Sequence, residues 1–374
     1  MGRRAVLLLF AVVIAVAASG CARSGDGAEA SEKQGKVAGR PTIALLLPET
    51  KTARYETQDR PHFESNVRRL CPECHLLYSN ANQEVATQSS QVDAALANGA
   101  DVLVLDPVDS RAAAAMVRKA RASGAAVVSY DRLILDTPVD HYVSFDNVKV
   151  GELQARTLIQ RLRELGQAAG TVVLIHGSPT DNNASLYKRG ARQALERSAL
   201  VLGAEYDTPD WSPDKAQRQM EQAITKLGVK AIAGVYAAND GTAGGAIAAM
   251  KAAGFSRLPP VTGQDAELEA VQRILSGEQY MTVYKAIARE AAAAAALAVA
   301  LVRRQPPPAG LVNGDVPNGA GRVPSVLLEP VAVTVTNLAA TVFADGFWTP
   351  AQVCTERLAA ACRAAGIGDP AARG

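Results

Sequence analysis

Several short polar sequences in this chain follow apolar runs. They are Asp106, Tyr130-Asp131-Arg132, Asp181-Asn182-Asn183, Asn239-Asp240, Gln264-Asp265 and Lys285. Carboxylates, primary amides and a guanidinium group suit a ligand with several neutral hydroxyls, because each hydroxyl can donate to an oxygen and accept from a nitrogen. A monosaccharide has this chemistry, and the C–H face of its ring can pack on an aromatic side chain.

A helix N-cap is a simpler explanation for any one of these positions, since Asp and Asn are favoured there. The explanation weakens for the whole set, because Arg132 and Lys285 are poor caps and occupy equivalent places. Asp240 is an exception, since we expect it to cap the helix that begins at Gly241 rather than to contact a ligand.

Other site chemistries fit these residues less well. The segment Gly241-Thr-Ala-Gly-Gly245 is neither a Walker loop nor a dinucleotide fingerprint, and acidic neighbours would repel a phosphate. Asp131 and Asp265 could mimic the carboxylate pair of a glycosidase. Arg132 beside one of them and amides around the other would keep both ionised, which leaves no general acid. We therefore expect that the protein is not an enzyme and that it binds no cofactor and no metal ion.

The charge balance argues against a nucleic-acid partner. The chain has 39 Lys and Arg and 37 Asp and Glu residues, and Arg3 and Arg4 lie in a segment that we expect to be removed. Taking those two from 39 leaves 37 residues of each sign. A nucleic-acid binder needs a positive footprint, and the sequence has none.

The cysteines allow more than one chemistry. Cys71-Pro-Glu-Cys74-His75 has the pattern of c-type haem attachment, and a redox-active pair or a zinc site would use the same spacing. An even number of cysteines in an exported protein favours disulfides. Without Cys21, four cysteines remain, with three possible pairings. We expect Cys71 with Cys74 and Cys354 with Cys362.

The polar sequences need strands to position them, and the chain supplies apolar runs that alternate with helix-period segments. The runs are Ile43 to Leu47, His75 to Tyr78, Val102 to Leu105, Ala126 to Ser129, Val172 to Ile175, Ala231 to Tyr236, Pro260 to Thr262 and Met281 to Tyr284. Such runs are typical of strands buried on both faces of parallel sheets, whose ligands lie at the carboxyl ends of the strands. About ten such units exceed one open sheet, so the pattern predicts an α/β fold with two doubly wound parallel-sheet lobes.

The N-terminus has the pattern of an export signal. Residues 1–20 comprise a pair of arginines, an apolar stretch and small residues that run into Cys21, as in a bacterial lipobox. Residues 21–40 are rich in Gly, Ala, Ser and charge and predict a flexible tether. We therefore expect an extracytoplasmic protein with a lipid on Cys21; a plain secretory signal and a retained membrane anchor are the alternatives. Ala291 to Val302 is too short to span a bilayer and predicts a buried helix.

Six stretches together resemble the periplasmic sugar-binding proteins of ABC importers, most closely the D-xylose-binding type. They are VVSYDR from Val127, VSFDNVKVGELQA from Val143, GSPTDNNA from Gly177, ANDGTAGGAI from Ala238, GQDA from Gly263 and MTVYK from Met281. The resemblance extends in order from about Thr42 to Phe347. It implies a type I periplasmic binding protein in which two lobes, joined by a three-segment hinge, close on one pyranose.

The same resemblance implies where the chain changes lobe. The crossovers fall near Phe145, Val283 and Pro330. The N-terminal lobe is then formed by residues 41–144 and 286–328, and the C-terminal lobe by residues 145–285 and 329–374.

The resemblance also implies roles for individual residues. Asp131 and Arg132 contact ring hydroxyls from the first lobe, and Asn183, Asn239 and Asp265 contact them from the second. Lys285 lies beside the hinge, Trp211 stacks on one sugar face, and Arg54-Tyr55 matches an Arg-Trp pair of the family. Tyr55 in place of Trp is a departure that bears on the identity of the sugar. Without the resemblance, Trp211 could be a surface turn residue, Arg54 and Tyr55 solvated surface, and Lys285 a helix-flanking charge.

The expected function is the capture of a D-xylose-like pentose and its delivery, by a monomeric lipoprotein, to an ABC transporter permease. A sensor that presents the closed form to a membrane kinase or chemoreceptor is the alternative, because both kinds of partner would recognise the same closed lobes.

Overall fold

The computed structural model describes residues 40–368, and the predicted signal peptide and almost all of the tether lie outside this range. The first of its sheets has seven strands in the spatial order β10-β11-β5-β4-β3-β1-β2. They are β1 (Thr42–Leu47), β2 (His75–Asn80), β3 (Val102–Leu105), β4 (Ala126–Tyr130), β5 (His141–Phe145), β10 (Gly314–Pro317) and β11 (Arg322–Leu328). All neighbours pair in parallel except β10 with β11. The carboxyl ends of β1, β3 and β4 therefore meet at one edge, as predicted.

Helices cover both faces of this first sheet. They are α1 (Arg60–Leu70), α2 (Val85–Ala97), α3 (Ala113–Ala122) and α9 (Ile287–Val302). Ile43, Leu45 and Leu47 pack in a core with the alanines of α9, whereas Ala44 and Leu46 pack on the opposite face. A strand alternates its side chains between faces, so a continuous apolar run serves both cores. The buried alanine-rich helix expected at Ala291 to Val302 is thereby confirmed.

The second group of strands comprises a three-stranded sheet, in the order β7-β6-β8, and the antiparallel pair β9-β12. They are β6 (Thr171–His176), β7 (Val201–Asp207), β8 (Ile232–Ala237), β9 (Met281–Tyr284) and β12 (Val331–Thr334). Single parallel bridges at Val261 and Gln264 join β8 to β9. The strand predicted over Pro260 to Thr262 is thus only one bridge. Pro259 and Pro260 lack the N–H groups that a longer ladder requires.

The helices of this second part are α4 (Asn147–Glu164), α5 (Asn182–Leu195), α6 (Pro213–Leu227), α7 (Asp240–Ala252), α8 (Leu268–Leu275), α10 (Pro350–Val353) and α11 (Ala359–Ala364). Helices α10 and α11 belong to a C-terminal segment that packs on α8 and β9 through Val342, Phe347 and Leu358. Among residues 40–368, no helix is both long and apolar enough to cross a membrane.

The chain passes between the two groups of strands three times. It does so between β5 and α4, between β9 and α9, and between β11 and β12. Lys285 lies at the second of these passages. Below, the first lobe means the seven-stranded sheet with its four helices, and the second lobe means the remaining described elements from α4 onward.

The four cysteines of the described chain form two local disulfides. Cys71 and Cys74 join the end of α1 to the start of β2, with Cα atoms 5.3 Å apart. Cys354 and Cys362 join α10 to α11, with Cα atoms 6.0 Å apart. Each sulfur is bonded to its partner cysteine, which leaves no thiol at Cys71 or Cys74 for haem attachment or zinc.

Candidate functional site

A small polar cavity lies where the carboxyl ends of the strands of both lobes face each other. All nine residues that the sequence singled out for ligand binding line it. They are Arg54, Tyr55, Asp131, Arg132, Asn183, Trp211, Asn239, Asp265 and Lys285. Four further residues complete the lining: Thr52, Asp181, Tyr187 and Gln264.

Arg54 organises the side of the cavity that β1 contributes. It begins the helical segment that leads into α1, is only 3% exposed, and donates a hydrogen bond to Asp131 Oδ2. Tyr55 donates to the same oxygen at 3.0 Å. Behind the cavity, Arg54 Nη1 lies 3.4 Å from Asp59 and 3.4 Å from Glu290. Arg54 is therefore a buried cation held by carboxylates on both sides.

Asp131 stays ionised although it is buried. Burial alone would raise the pKa of its carboxyl, but the charges of Arg54, Lys285 and Arg132 outweigh that effect and hold the pKa below its usual range. An ionised carboxylate accepts hydrogen bonds with all of its lone pairs. Asp131 is thus suited to accept from sugar hydroxyls.

Arg132 is the second cation of the cavity and connects the two lobes. Its Nε atom lies 3.1 Å from Asp181 Oδ2, on the second lobe, and 3.6 Å from Asp106 Oδ1, at the end of β3. Burial raises the pKa of both carboxyls, and the charge of Arg132 opposes this shift. One face of the guanidinium lies toward the ring of Tyr55, 5.8 Å from its centroid.

Two further contacts connect the lobes directly at the cavity. Asn183 donates to the backbone oxygen of Asp131 at 3.0 Å and to its Oδ1 at 3.3 Å. Asp265 Oδ1 lies 2.8 Å from Lys285 Nζ and 3.6 Å from Arg54 Nε. The cavity therefore contains acceptors and donors from both lobes within hydrogen-bonding range of one another.

Trp211 forms an aromatic wall on the second lobe. Its ring is 5% exposed, its Nε1 donates to Asp181 Oδ2 at 3.1 Å, and Tyr187 meets it edge-on at 6.4 Å. The ring lies flush against the backbone of Gly177, where a Cβ atom would overlap it. The alternative of a solvated turn residue is thus wrong, because Trp211 is buried.

Three residues that line the cavity have left-handed backbone conformations. The φ angle is +51° at Asp131, +53° at Trp211 and +94° at Asp265. This region is unfavourable for residues with a side chain, and it persists only where the surroundings impose it. Such conformations concentrate at binding sites, and here they occur on both lobes.

Asn239, and not Asp240 as the sequence suggested, caps α7. Asn239 is the N-cap of α7, because its side chain accepts from the backbone N–H of Thr242 at 2.9 Å. Asp240 is the first residue of α7 and does not cap this helix. Its carboxylate instead accepts from Gln279 at 2.7 Å and from Thr282 at 2.9 Å. Asn239 still lines the cavity, since capping uses only its Oδ1 atom.

The four additional lining residues carried unequal signals in the sequence. Asp181 and Gln264 belong to the polar sequences that follow strands, so the same argument could have selected them. Tyr187 follows Asn183 by four residues on α5 and thus shares its face. Thr52 lies in the loop after β1 and carried no signal of its own.

Within residues 40–368, no group of three or more His, Cys, Asp or Glu side chains is arranged to hold a metal ion. The carboxylates of the cavity are instead paired with Arg54, Arg132 and Lys285.

Comparison with known proteins agrees with this geometry. Residues 43–306 match the family described as periplasmic binding protein domain. The chain belongs to this family. It is 38% identical to the D-xylose-binding periplasmic protein of Escherichia coli (strain K12) over 310 residues, which cover 82% of this chain and 90% of the relative. It is 30% identical to the multiple sugar-binding periplasmic receptor ChvE of Rhizobium radiobacter, over 84% of this chain and 93% of the relative.

A solved structure has the same fold. The ABC transporter solute-binding protein of Clostridium phytofermentans, with bound β-D-glucose, gives a TM-score of 0.77 at 28% identity, with 83% of this chain and 99% of that chain covered. The periplasmic sugar-binding proteins are extracytoplasmic receptors of ABC transport and not enzymes. The glycosidase alternative is thereby excluded, and the predicted α/β fold with parallel sheets is confirmed.

Proposed function

We propose that this protein captures a neutral monosaccharide, a pentose of the D-xylose type, between its two lobes and delivers it to the permease of an ABC importer. The observation that carries the proposal is the convergence of all nine predicted ligand residues on one cavity. The 38% identity to a D-xylose-binding periplasmic protein supports the choice of sugar.

The chemistry of the cavity supports a neutral polyhydroxylated ligand. Asp131 and Asp265 accept from hydroxyls, Arg54 and Lys285 donate to them, and Trp211 packs on one face of the ring. Every carboxylate that lines the cavity lies within 4 Å of a cation, so an additional charged ligand would break an existing pair. A neutral sugar can instead insert among these groups and exchange hydrogen bonds with them.

Capture proceeds by closure of the hinge. The sugar contacts Asp131 and Arg132 on the first lobe and Asn183, Asn239 and Asp265 on the second, so its bonds to both lobes exist only when they are closed. A ligand that binds one of two states more tightly shifts the population toward that state. The permease then distinguishes loaded from empty protein by the closed arrangement, and no covalent step occurs.

We further propose that the protein is a monomer anchored outside the cell by a diacylglyceryl group on Cys21. This residue and the signal peptide lie outside the described residues, and the proposal rests on the lipobox-like sequence before it. Two acyl chains hold a protein stably at a membrane, whereas one chain holds it only weakly.

A thermal-shift screen tests the ligand. A sugar that binds only the native state raises the unfolding midpoint, so D-xylose is expected to raise it in a concentration-dependent manner. L-xylose is the matched control, since it has the same groups in mirror-image positions. If no pentose or hexose raises the midpoint, the proposal is wrong.

A sensory role is the second candidate. The relative from Rhizobium radiobacter is named a receptor, and a sensor kinase or chemoreceptor could recognise the same closed form as a permease. Sugar uptake by cells that lack this protein separates the two roles, because uptake is lost only if the protein serves the importer.

A further inference from the structure

Ser110 connects the two lobes away from the sugar cavity. It lies in the loop between β3 and α3, is 2% exposed, and does not line the cavity. Its backbone N–H donates to the backbone oxygen of Thr180 at 3.0 Å, and its Oγ accepts from the backbone N–H of Asn182 at 3.1 Å. Thr180 and Asn182 belong to the loop between β6 and α5 of the second lobe.

Ser110 is held firmly on its own lobe. Its backbone oxygen accepts from the N–H of Leu135 at 2.8 Å. The neighbouring Asp109 accepts from the backbone N–H groups of Arg111 and Ala112, both at 2.8 Å. The loop therefore presents Ser110 in a fixed conformation, and contact with the second lobe uses groups that are already oriented.

A second contact of the same kind joins the lobes elsewhere. Gln58, which lies in the helical segment Tyr55–Asp59 before α1, donates from Nε2 to the backbone oxygen of Phe347 at 3.2 Å. Gln58 is 7% exposed, and neither residue lines the cavity. Phe347 belongs to the C-terminal segment that packs in the core of the second lobe.

We propose that Ser110 and Gln58 are positioning residues that stabilise the closed form and thereby set how long a bound sugar is retained. This inference rests on the proposed function. These bonds join residues of different lobes, so they are made on closure and broken on opening, whichever sugar is bound. Asn182 is also flanked by Asp181 and Asn183, so the Ser110 contact fixes the loop that supplies two cavity residues.

The kinetic consequence is specific. A bond made only after the sugar has arrived leaves the association rate unchanged, whereas a bond that must break before release slows dissociation. Loss of one such hydrogen bond corresponds to about a 2- to 12-fold change in an equilibrium constant. Ser110→Ala and Gln58→Ala are each expected to raise the dissociation rate by about this factor, and the double variant by roughly the product.

Stopped-flow measurement with the screened sugar tests this expectation on the mature protein. Ser325→Ala and Gln272→Ala are matched controls, because Ser325 bonds to Val323 within the first lobe and Gln272 to Val353 within the second. Both controls are expected to retain the wild-type dissociation rate. An unchanged dissociation rate in the double variant overturns the proposal. A loss of affinity that comes from slower association instead of faster dissociation also overturns it.

A second measurement separates this inference from the proposed function. Spin labels at Arg118→Cys on α3 and Arg218→Cys on α6 occupy exposed positions on different lobes. If no sugar binds even to wild type, the proposed function is wrong, and the distances between the two labels still test whether Ser110 and Gln58 stabilise the closed form. The double variant is expected to show a smaller fraction of short label-to-label distances than wild type. Identical distance distributions refute the proposal.

Discussion

Among single residues, loss of Asp265 and its ion pair with Lys285 is expected to weaken sugar binding most directly. Asp265 Oδ1 lies 2.8 Å from Lys285 Nζ, and the residue is only 4% exposed. Hydrogen bonds to a charged group contribute roughly 1.5–3 kcal/mol, so Asp265→Ala is expected to weaken binding by about 10- to 150-fold. Calorimetry with the sugar found by the thermal-shift screen measures this change.

The control for Asp265 is an aspartate of similar type that lies away from the cavity. Asp93→Ala removes an exposed pair with Lys119, and such pairs contribute little to stability. This variant is expected to bind sugar as tightly as wild type. Wild-type affinity in folded Asp265→Ala would show that the cavity is not the binding site.

Asp240 gives a prediction about pH. Burial raises the pKa of its carboxyl to about 7, although the charge of Arg273 and hydrogen bonds from Gln279 and Thr282 oppose the shift. The native state then binds a proton that the unfolded chain releases near pH 4, so stability falls as pH rises from about 4 to about 7. Asp240→Asn is expected to make this fall less steep.

Thermal unfolding of wild type and Asp240→Asn between pH 4 and pH 8 measures this difference. Parallel pH profiles would contradict the expectation. Burial also raises the pKa of Glu267, Asp106 and Asp181, which remain in both proteins and contribute to any residual slope.

The residues of the site were predictable to different degrees. Asp131 and Arg132 follow the buried strand β4, and Asp265 follows a single parallel bridge at Gln264. Parallel pairing brings such positions to one edge. Thr52 was not predictable, because a single threonine in a polar loop has no distinguishing pattern. The sequence could not show whether Asn239 or Asp240 is the cap, because either side chain can cap a helix and the two residues are adjacent.

At the scale of elements, the loop from β6 to α5 has to leave room for an aromatic ring. Gly177 supplies that room, since a Cβ atom at this position would overlap the indole of Trp211. Gly177→Ala is therefore expected to displace the ring toward the cavity and to weaken sugar binding by at least about tenfold, as overpacking of a well-filled site does. Calorimetry measures the affinity, and tryptophan fluorescence reports the altered ring environment.

Gly321→Ala is the corresponding control, because no atom lies within 4 Å of a Cβ built there. It is expected to leave both signals unchanged. If Gly177→Ala binds normally with wild-type fluorescence, the indole is not confined as described.

Seven of the predicted apolar runs lie in strands, including the edge strand β2, whereas β5, β7, β10, β11 and β12 correspond to no predicted run. β7 pairs on one side only, and Val201 and Leu202 are 53% and 50% exposed. An edge strand that faces solvent does not need a continuous apolar run, so its sequence resembles a loop. The strand expected at Pro260 to Thr262 failed for the opposite reason, because its residues are apolar but two prolines limit pairing.

At the scale of the whole molecule, the lipid proposed on Cys21 is expected to determine where the protein resides. Cys21→Ser removes the acceptor sulfur, so the protein is expected to move from the membrane fraction to the soluble fraction or to remain unprocessed. Fractionation and the mass of the N-terminal peptide measure this. A wild-type protein that is soluble and carries no lipid mass would contradict the anchor.

The three passages of the chain between lobes have a consequence for biosynthesis. The core of the first sheet includes α9, and its strand β5 pairs with β11, so this part is incomplete until residue 328 has been made. The other part needs β12 and the C-terminal segment. Many multidomain chains acquire structure from the N-terminus as they emerge from the ribosome. Here neither half can complete its fold early, so we expect the polypeptide to reach its native structure only after its last quarter has been synthesised.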